Sequence, residues 1–177
     1  MTRRRALAVL SAAFALTAFP LAAETAAVGA IFIVRHAEKQ ADANAKDVPL
    51  SPAGQARAER LARPLRDARI VAVYSTDTVR TRSTASPLAR TAEIEVTIYD
   101  PADAGGQIDL KPLAERIRRE HRTGNVLVVG HSNTVAPLIR ALGSTEEVAI
   151  GDQDFDGLYV VVPSGEGASP VLLRLRT

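Results

Sequence analysis

The chain has no cysteine and no tryptophan. The first absence excludes disulfides, thiolate metal sites, a cysteine nucleophile and lipid attachment at a leader cysteine. The second, with only 4% aromatic residues, leaves no stacking platform for single-stranded nucleic acid. Histidine is scarce, at three residues. A typical zinc site takes three or four protein ligands, so distant carboxylates would have to complete one, and no metal is expected. No Gly-x-x-x-x-Gly-Lys-Ser/Thr loop is present, which argues against nucleotide-driven transfer.

The first segment stands apart from the rest. Met1-Thr2-Arg3-Arg4-Arg5 is basic, Ala6 to Phe19 is unbroken and weakly apolar, and Pro20-Leu21-Ala22-Ala23 supplies small residues. This is the pattern of a secretory signal peptide. Residues 1–23 are therefore expected to be a leader, cut between about Ala22 and Ala27, with Arg3-Arg4 similar to a twin-arginine signal. Ala6–Phe19 falls short of the roughly 20 residues of a spanning helix, so no stable membrane insertion is expected after cleavage. The expected location is periplasmic or secreted. The net charge of +2 belongs to this leader: 22 basic residues less its three arginines leave 19, against 20 acidic ones. A mature chain near neutrality gives no reason to expect a nucleic-acid partner. About 150 mature residues suffice for one domain that buries roughly two-thirds of its unfolded surface, and that domain is expected over 29–177.

Within it, strand and helix patterns alternate. Residues 29–34 read as a buried strand, short and apolar throughout. After the polar stretch Ala37–Val48, Ser51 is placed to N-cap a helix with Pro52 at its first position, and Pro64 to kink or shorten it. Ile70–Tyr74 is a second strand. Thr76 to Thr91 is helical in pattern, with Thr76 as its expected cap and a break expected near Pro87. Ile94–Ile98 alternates and suits an edge strand. Leu110–His121 is an amphipathic helix stopped by Gly124, with His121 at its surface end. Val126–Val129 and a helix from about Asn133 to Leu142 follow. Leu158–Val162 and Val171–Leu175, separated by Pro163, Gly165, Gly167 and Pro170, form a hairpin. Asp152, Asp154 and Asp156 lack the glycine and closing glutamate of a calcium loop and read as a turn before it. The expectation is a three-layer α/β/α sandwich with a largely parallel sheet and a C-terminal hairpin.

The chemistry gathers at two strand ends. Ile31-Phe32-Ile33-Val34 runs into Arg35-His36, and Val126-Leu127-Val128-Val129 into Gly130-His131. The carboxyl ends of parallel strands are where α/β proteins bind ligands. A lone histidine there is most often a capped polar residue, but two at matched ends, one preceded by arginine, point to an anion site. Gly130-His131-Ser132-Asn133-Thr134 sits where a serine-hydrolase elbow would, but that elbow needs glycine where Thr134 stands. Phosphoryl transfer fits better, because charge spread over several oxygens calls for fixed cations and donors. Arg80 follows the second strand, with Arg82 as its solvated competitor. Ser132 and Asn133 are placed to bond phosphate or to cap the following helix, and Thr76 has the same two uses, with the cap preferred. Glu38 is placed to orient a catalytic group or to sit as a loop carboxylate.

Three blocks carry a resemblance. Arg35-His36-Ala37-Glu38 resembles the Arg-His-Gly signature of the histidine phosphatase superfamily, with its phosphoglycerate-mutase-like fold. Thr76-x-x-x-Arg80-x-x-x-Thr84-Ala85 is similar to its second block, and Val129-Gly130-His131-Ser132-Asn133 to its third, in family order and spacing. The resemblance implies His36 as the phosphorylated nucleophile, Arg35, Arg80 and His131 as the phosphate pocket, and no cofactor. The size resembles the minimal bacterial members, including phosphohistidine phosphatases. Two departures stand out. Ala37 replaces glycine, which requires an unstrained backbone there. Relatives supply a general acid as a glutamate inserted after the second block or an aspartate after the second histidine, but Ser132 follows His131. Asp100, Asp103 and Asp109 lie where an inserted acid arises, and Asp103 is taken for the role. The expected activity is hydrolysis of a phosphomonoester or phosphoramidate, on a small phosphorylated substrate or a phosphoprotein. A phospho-ligand binding protein and a phosphomutase are the alternatives.

Overall fold

The apolar runs that end in histidine become neighbouring strands. In the computed structural model, which describes residues 29–41, 47–165 and 167–177, β1 (Ile31–Arg35) and β4 (Asn125–Gly130) pair in parallel, Arg35 opposite Gly130. Ile31–Val34 and Val126–Val129 are apolar because both faces of the sheet are covered. The expected leader lies outside the described residues.

The remaining elements are α1 (Pro52–Leu65), β2 (Ile70–Ser75), α2 (Val79–Thr91), β3 (Val96–Ile98), α3 (Lys111–Glu120), α4 (Ser132–Ala141), β5 (Gly157–Val162) and β6 (Val171–Arg176). The six-stranded sheet runs β3-β2-β4-β1-β5-β6. β1 to β4 are mutually parallel, and β5 is antiparallel to both β1 and β6. This is the expected sandwich with its hairpin, and β3 lies at the edge.

Two apolar layers flank the sheet. One packs Leu61, Leu65, Ala85 and Leu88 from α1 and α2 against Val34, Val73, Leu127 and Val129. The other packs Leu113, Ile117, Leu138 and Ile139 from α3 and α4 against Ile33, Tyr74, Val126 and Val128. Alternate residues of one strand enter opposite layers, as the pleat requires. Among the described residues no helix is long and apolar enough to cross a membrane.

Local signals decide the helix starts. Ser51 accepts from the Gly54 N–H at 3.1 Å and Pro52 opens α1, as expected. For α2 the cap is Thr78, not Thr76. Extended backbone at Thr78 and its hydroxyl 3.3 Å from the Thr81 N–H mark the true boundary, which frees Thr76 for other use. The expected break at Pro87 does not occur, since α2 continues to Thr91. Proline removes the N–H that would reach the Ser83 carbonyl, but Ser83 lines an open groove between α1 and α2, which is accessible to solvent. Pro64 falls in the last turn of α1, where it neither kinks nor cuts the helix short.

Candidate active site

The parallel ladder between β1 and β4 carries on one residue past the strands, because the His36 N–H donates to the Gly130 carbonyl at 2.9 Å. That bond sets the two histidines side by side, ring centroids 5.4 Å apart and edge to face. They join Arg35, Lys39, Arg80, Ser132 and Asn133 around an open cavity of about 510 Å³ at the carboxyl ends of the strands. Every residue expected to form the phosphate pocket is thus in one place, although three separate stretches of chain supply them. A groove of about 600 Å³ between α1 and α2 is larger, but of the residues weighed above it holds only Arg82.

His36 is held in one tautomer. Its Nδ1 lies 2.7 Å from the Ala37 carbonyl oxygen. A carbonyl only accepts, so Nδ1 carries the proton and the neutral ring keeps its lone pair on Nε2. Burial costs the charged form its hydration and lowers the pKa of His36 to about 4, with His131, Arg80 and Arg35 adding repulsion. His131 is likewise lowered to about 4, first by desolvation and then by Arg80 and Arg35. Both rings are therefore neutral at pH 7, and His36 presents a nucleophilic nitrogen to the cavity.

The backbone around the nucleophile is pinned by the second block. The Ala37 N–H donates to Thr84 Oγ1 at 3.0 Å, and that hydroxyl donates to the Arg80 carbonyl at 2.8 Å. Ala37 is not among the described non-glycine residues with positive φ, so its methyl is carried without strain and the absence of glycine is harmless. Thr76, expected as a cap, instead places Oγ1 2.8 Å from His131 Nε2 and donates to Thr81 Oγ1 at 3.1 Å. The third block is braced too: the His131 N–H donates to Thr134 Oγ1 at 2.7 Å. A Cβ on Gly130 would fall 2.5 Å from that oxygen and 3.0 Å from the Tyr99 hydroxyl, so only glycine fits. Ser132 and Asn133 occupy the first turn of α4, whose N-cap is His131, so the start of that helix faces the cavity with its partial positive charge.

Arg35 is gripped from behind. Its Nη1 donates to the carbonyls of Gly151 at 2.8 Å and Asp152 at 3.1 Å, and Phe155 stacks on the guanidinium at 4.1 Å from the ring centroid. The turn before the hairpin is thus a cradle for this side chain. Its Nε is buried with no hydrogen-bond partner among the described residues. A buried guanidinium N–H left unpaired at the wall of a cavity is costly unless a ligand oxygen takes it. Arg80 is mostly buried, with Nη1 3.6 Å from Asp47 Oδ1.

Asp103 is not brought to the cavity. Its Oδ1 accepts the N–H groups of Gly105 and Gln107, both at 2.9 Å, so the carboxylate closes its own exposed loop. The sequence placed it by analogy with an inserted acid, whereas here its carboxylate is taken up by its own turn. Glu38 is bound by Arg57 through both carboxylate oxygens, with a shortest contact of 2.6 Å, and holds α1 rather than a reacting group. His121 is only partly a surface terminus, since its Nε2 meets the Tyr74 hydroxyl at 2.8 Å. Sequence reading missed Lys39, Asp47 and Phe155 as neighbours of the site. It had Thr76 in the second block as a cap or a phosphate donor, and the structure sets it against His131 instead.

Fold and site together define a class: an α/β/α sandwich with paired neutral histidines and two guanidiniums around an anion-sized cavity at the ends of parallel strands. Residues 31–101, which hold the first two blocks, match the model of the Histidine phosphatase superfamily (branch 1). The structure sets His131, outside that stretch, beside His36. The fold is similar to that of the protein histidine phosphatase SixA complexed with tungstate, with TM-score 0.67, 17% identity, and 83% of this chain and 96% of that chain covered. It is also similar to a mycobacterial glucosyl-3-phosphoglycerate phosphatase complexed with VO3, with TM-score 0.64, 16% identity and coverage of 84% and 99%. A phosphoglycerate mutase from Bacillus anthracis str. Sterne shares it at TM-score 0.58, 16% identity and coverage of 86% and 93%. No curated protein sequence matches.

Proposed function

We propose that this chain is a phosphatase that hydrolyses a phosphomonoester or phosphoramidate through a phosphohistidine at His36, without a metal, after export and loss of residues 1–23. The observation that carries the reading is the fixed tautomer of His36, neutral and with Nε2 free, in a cavity whose other walls are cationic or hydrogen-bond donors. In it, Nε2 attacks phosphorus. The Nε and Nη2 edge of Arg35, the Arg80 guanidinium and the N-terminus of α4 take up the charge on the oxygens. The cavity is open to solvent, which favours water over a second hydroxyl as the final acceptor. Among the described residues no three His, Asp or Glu side chains gather as a metal site would need, which supports the metal-free reading. Neighbours bound to tungstate and to VO3 fit a pocket of this kind.

His36→Ala should abolish turnover of p-nitrophenyl phosphate in a folded protein. Wild type mixed with labelled substrate and quenched in alkali should carry label that acid releases, as expected of phosphorus bonded to imidazole nitrogen. Full activity in His36→Ala would end the proposal.

A further inference from the structure

The cavity lining contains arginines, a lysine, neutral histidines, a serine and an asparagine, but no carboxyl group. Expelling an alkoxide is slow without a proton for the departing oxygen, and a positioned acid contributes roughly 10²–10⁴-fold. Most described carboxylates near the site are committed elsewhere. Glu38 is taken by Arg57, Asp77 by Arg82, and Asp103 by its own loop. Asp154 accepts the Gly151 N–H at 2.8 Å behind Arg35.

Asp47 differs in place and in company. It follows the loop after the first block, and its two carboxylate oxygens share a single donor, the Val79 N–H, at 2.9 Å each. Each oxygen keeps a lone pair unused by that bond. Oδ1 lies 3.6 Å from Arg80 Nη1, beyond hydrogen-bond length, so the carboxylate stands beside the phosphate-binding guanidinium without saturating it. Its charge also reaches His131. Its side chain is 38% exposed and does not itself line the cavity, but it stands next to Arg80, which does. The anchor to Val79 ties it to the first turn of α2, the turn that carries Arg80.

Resting on the phosphatase reading above, we propose that Asp47 is the proton donor to the leaving group and afterwards the base for water. In the first step, the Nε2 lone pair of His36 bonds to phosphorus as the bond from phosphorus to the leaving atom breaks. The proton of Asp47 passes to that atom, leaving the carboxylate. In the second step, Asp47 takes a proton from water and the water oxygen bonds to phosphorus. The phosphorus–nitrogen bond breaks with its electron pair returned to Nε2, and inorganic phosphate departs. His36 ends neutral and Asp47 protonated, as they began.

The test is a leaving-group series on Asp47→Asn, whose amide oxygen keeps the acceptor for Val79 but has no acidic proton. With phenyl phosphate, kcat/KM should fall roughly 10²–10⁴-fold. With 2,4-dinitrophenyl phosphate, whose phenolate leaves unaided, the fall should be at least tenfold smaller. Loss of the same size on both esters would make Asp47 a positioning residue for Arg80 and overturn the proposal, as would no loss on either. A leaving-group-dependent loss in Asp152→Asn and not in Asp47→Asn would overturn it too. Alkali-quenched Asp47→Asn should still trap phosphohistidine from dinitrophenyl phosphate. If wild type itself traps none, the His36 nucleophile fails rather than the acid.

Discussion

At the scale of residues, the site works by keeping imidazole neutral among cations. Desolvation is the largest influence on both His36 and His131, and the neighbouring guanidiniums act in the same direction. A histidine whose folded pKa lies below its unfolded value adds stability above the unfolded value, and loses it as pH falls through the window down to the folded one. The window here runs from about 6.5 down to about 4. NMR titration of the three imidazole rings should place His36 and His131 near the bottom of that window, and the native protein should weaken across it. Titration of either near 6.5 would mean that the rings are hydrated and the nucleophile is partly protonated at neutral pH. The identities of Arg35, His36, Arg80 and His131 were legible because each follows an apolar run or sits at a set spacing from one. Asp47 and Lys39 were not, since in sequence they are two charges in a polar stretch. The Lys39–Leu50 bridge and the Asp47 bond to the start of α2 are what place these two residues next to Arg80 and the cavity.

At the scale of elements, patterning predicted types better than boundaries. Strands and helices appear in the expected order, because apolar runs and 3.6-residue periodicity report burial directly. Proline misled: Pro87 would break an isolated helix, yet packing of Leu88, Ala85 and Ala89 into the layer beneath holds α2 together. The C-terminal hairpin offers a sharper check. Leu172 is 7% exposed and packs in the layer with Val161 and Ile31, while Leu173 is 46% exposed on the opposite face of the edge strand. Truncating Leu172 to Ala should cost about 2 kcal/mol or more, and truncating Leu173 no more than about 0.5 kcal/mol. Urea melts of the two variants measure the difference. Equal costs, or the reverse order, would show β6 slipped by one residue, since a single step exchanges the faces of every side chain.

At the scale of the whole molecule, the fold must stand without disulfides and, under the proposed processing, without residues 1–23. The absence of cysteine makes the two apolar layers the source of stability in any compartment. The first backbone bond that ties the described domain at its start is from the Gly29 N–H to the Arg122 carbonyl, at 3.3 Å. A Cβ on Gly29 would fall 1.7 Å from the Gly124 carbonyl oxygen, so this residue is seated where no other fits. A cut between about Ala22 and Ala27 therefore spares the described contacts that begin β1, and the proposed processing is compatible with an intact sheet. Expressed with its leader in a bacterial host, the protein recovered from the periplasmic fraction should show by mass spectrometry a new N-terminus between Ala23 and Val28. Its thermal midpoint should match that of a chain started at Glu24 and should not move on adding reductant. Recovery only as the intact chain beginning at Met1, in the membrane pellet, would make the segment an anchor and remove the argument for export as a free domain.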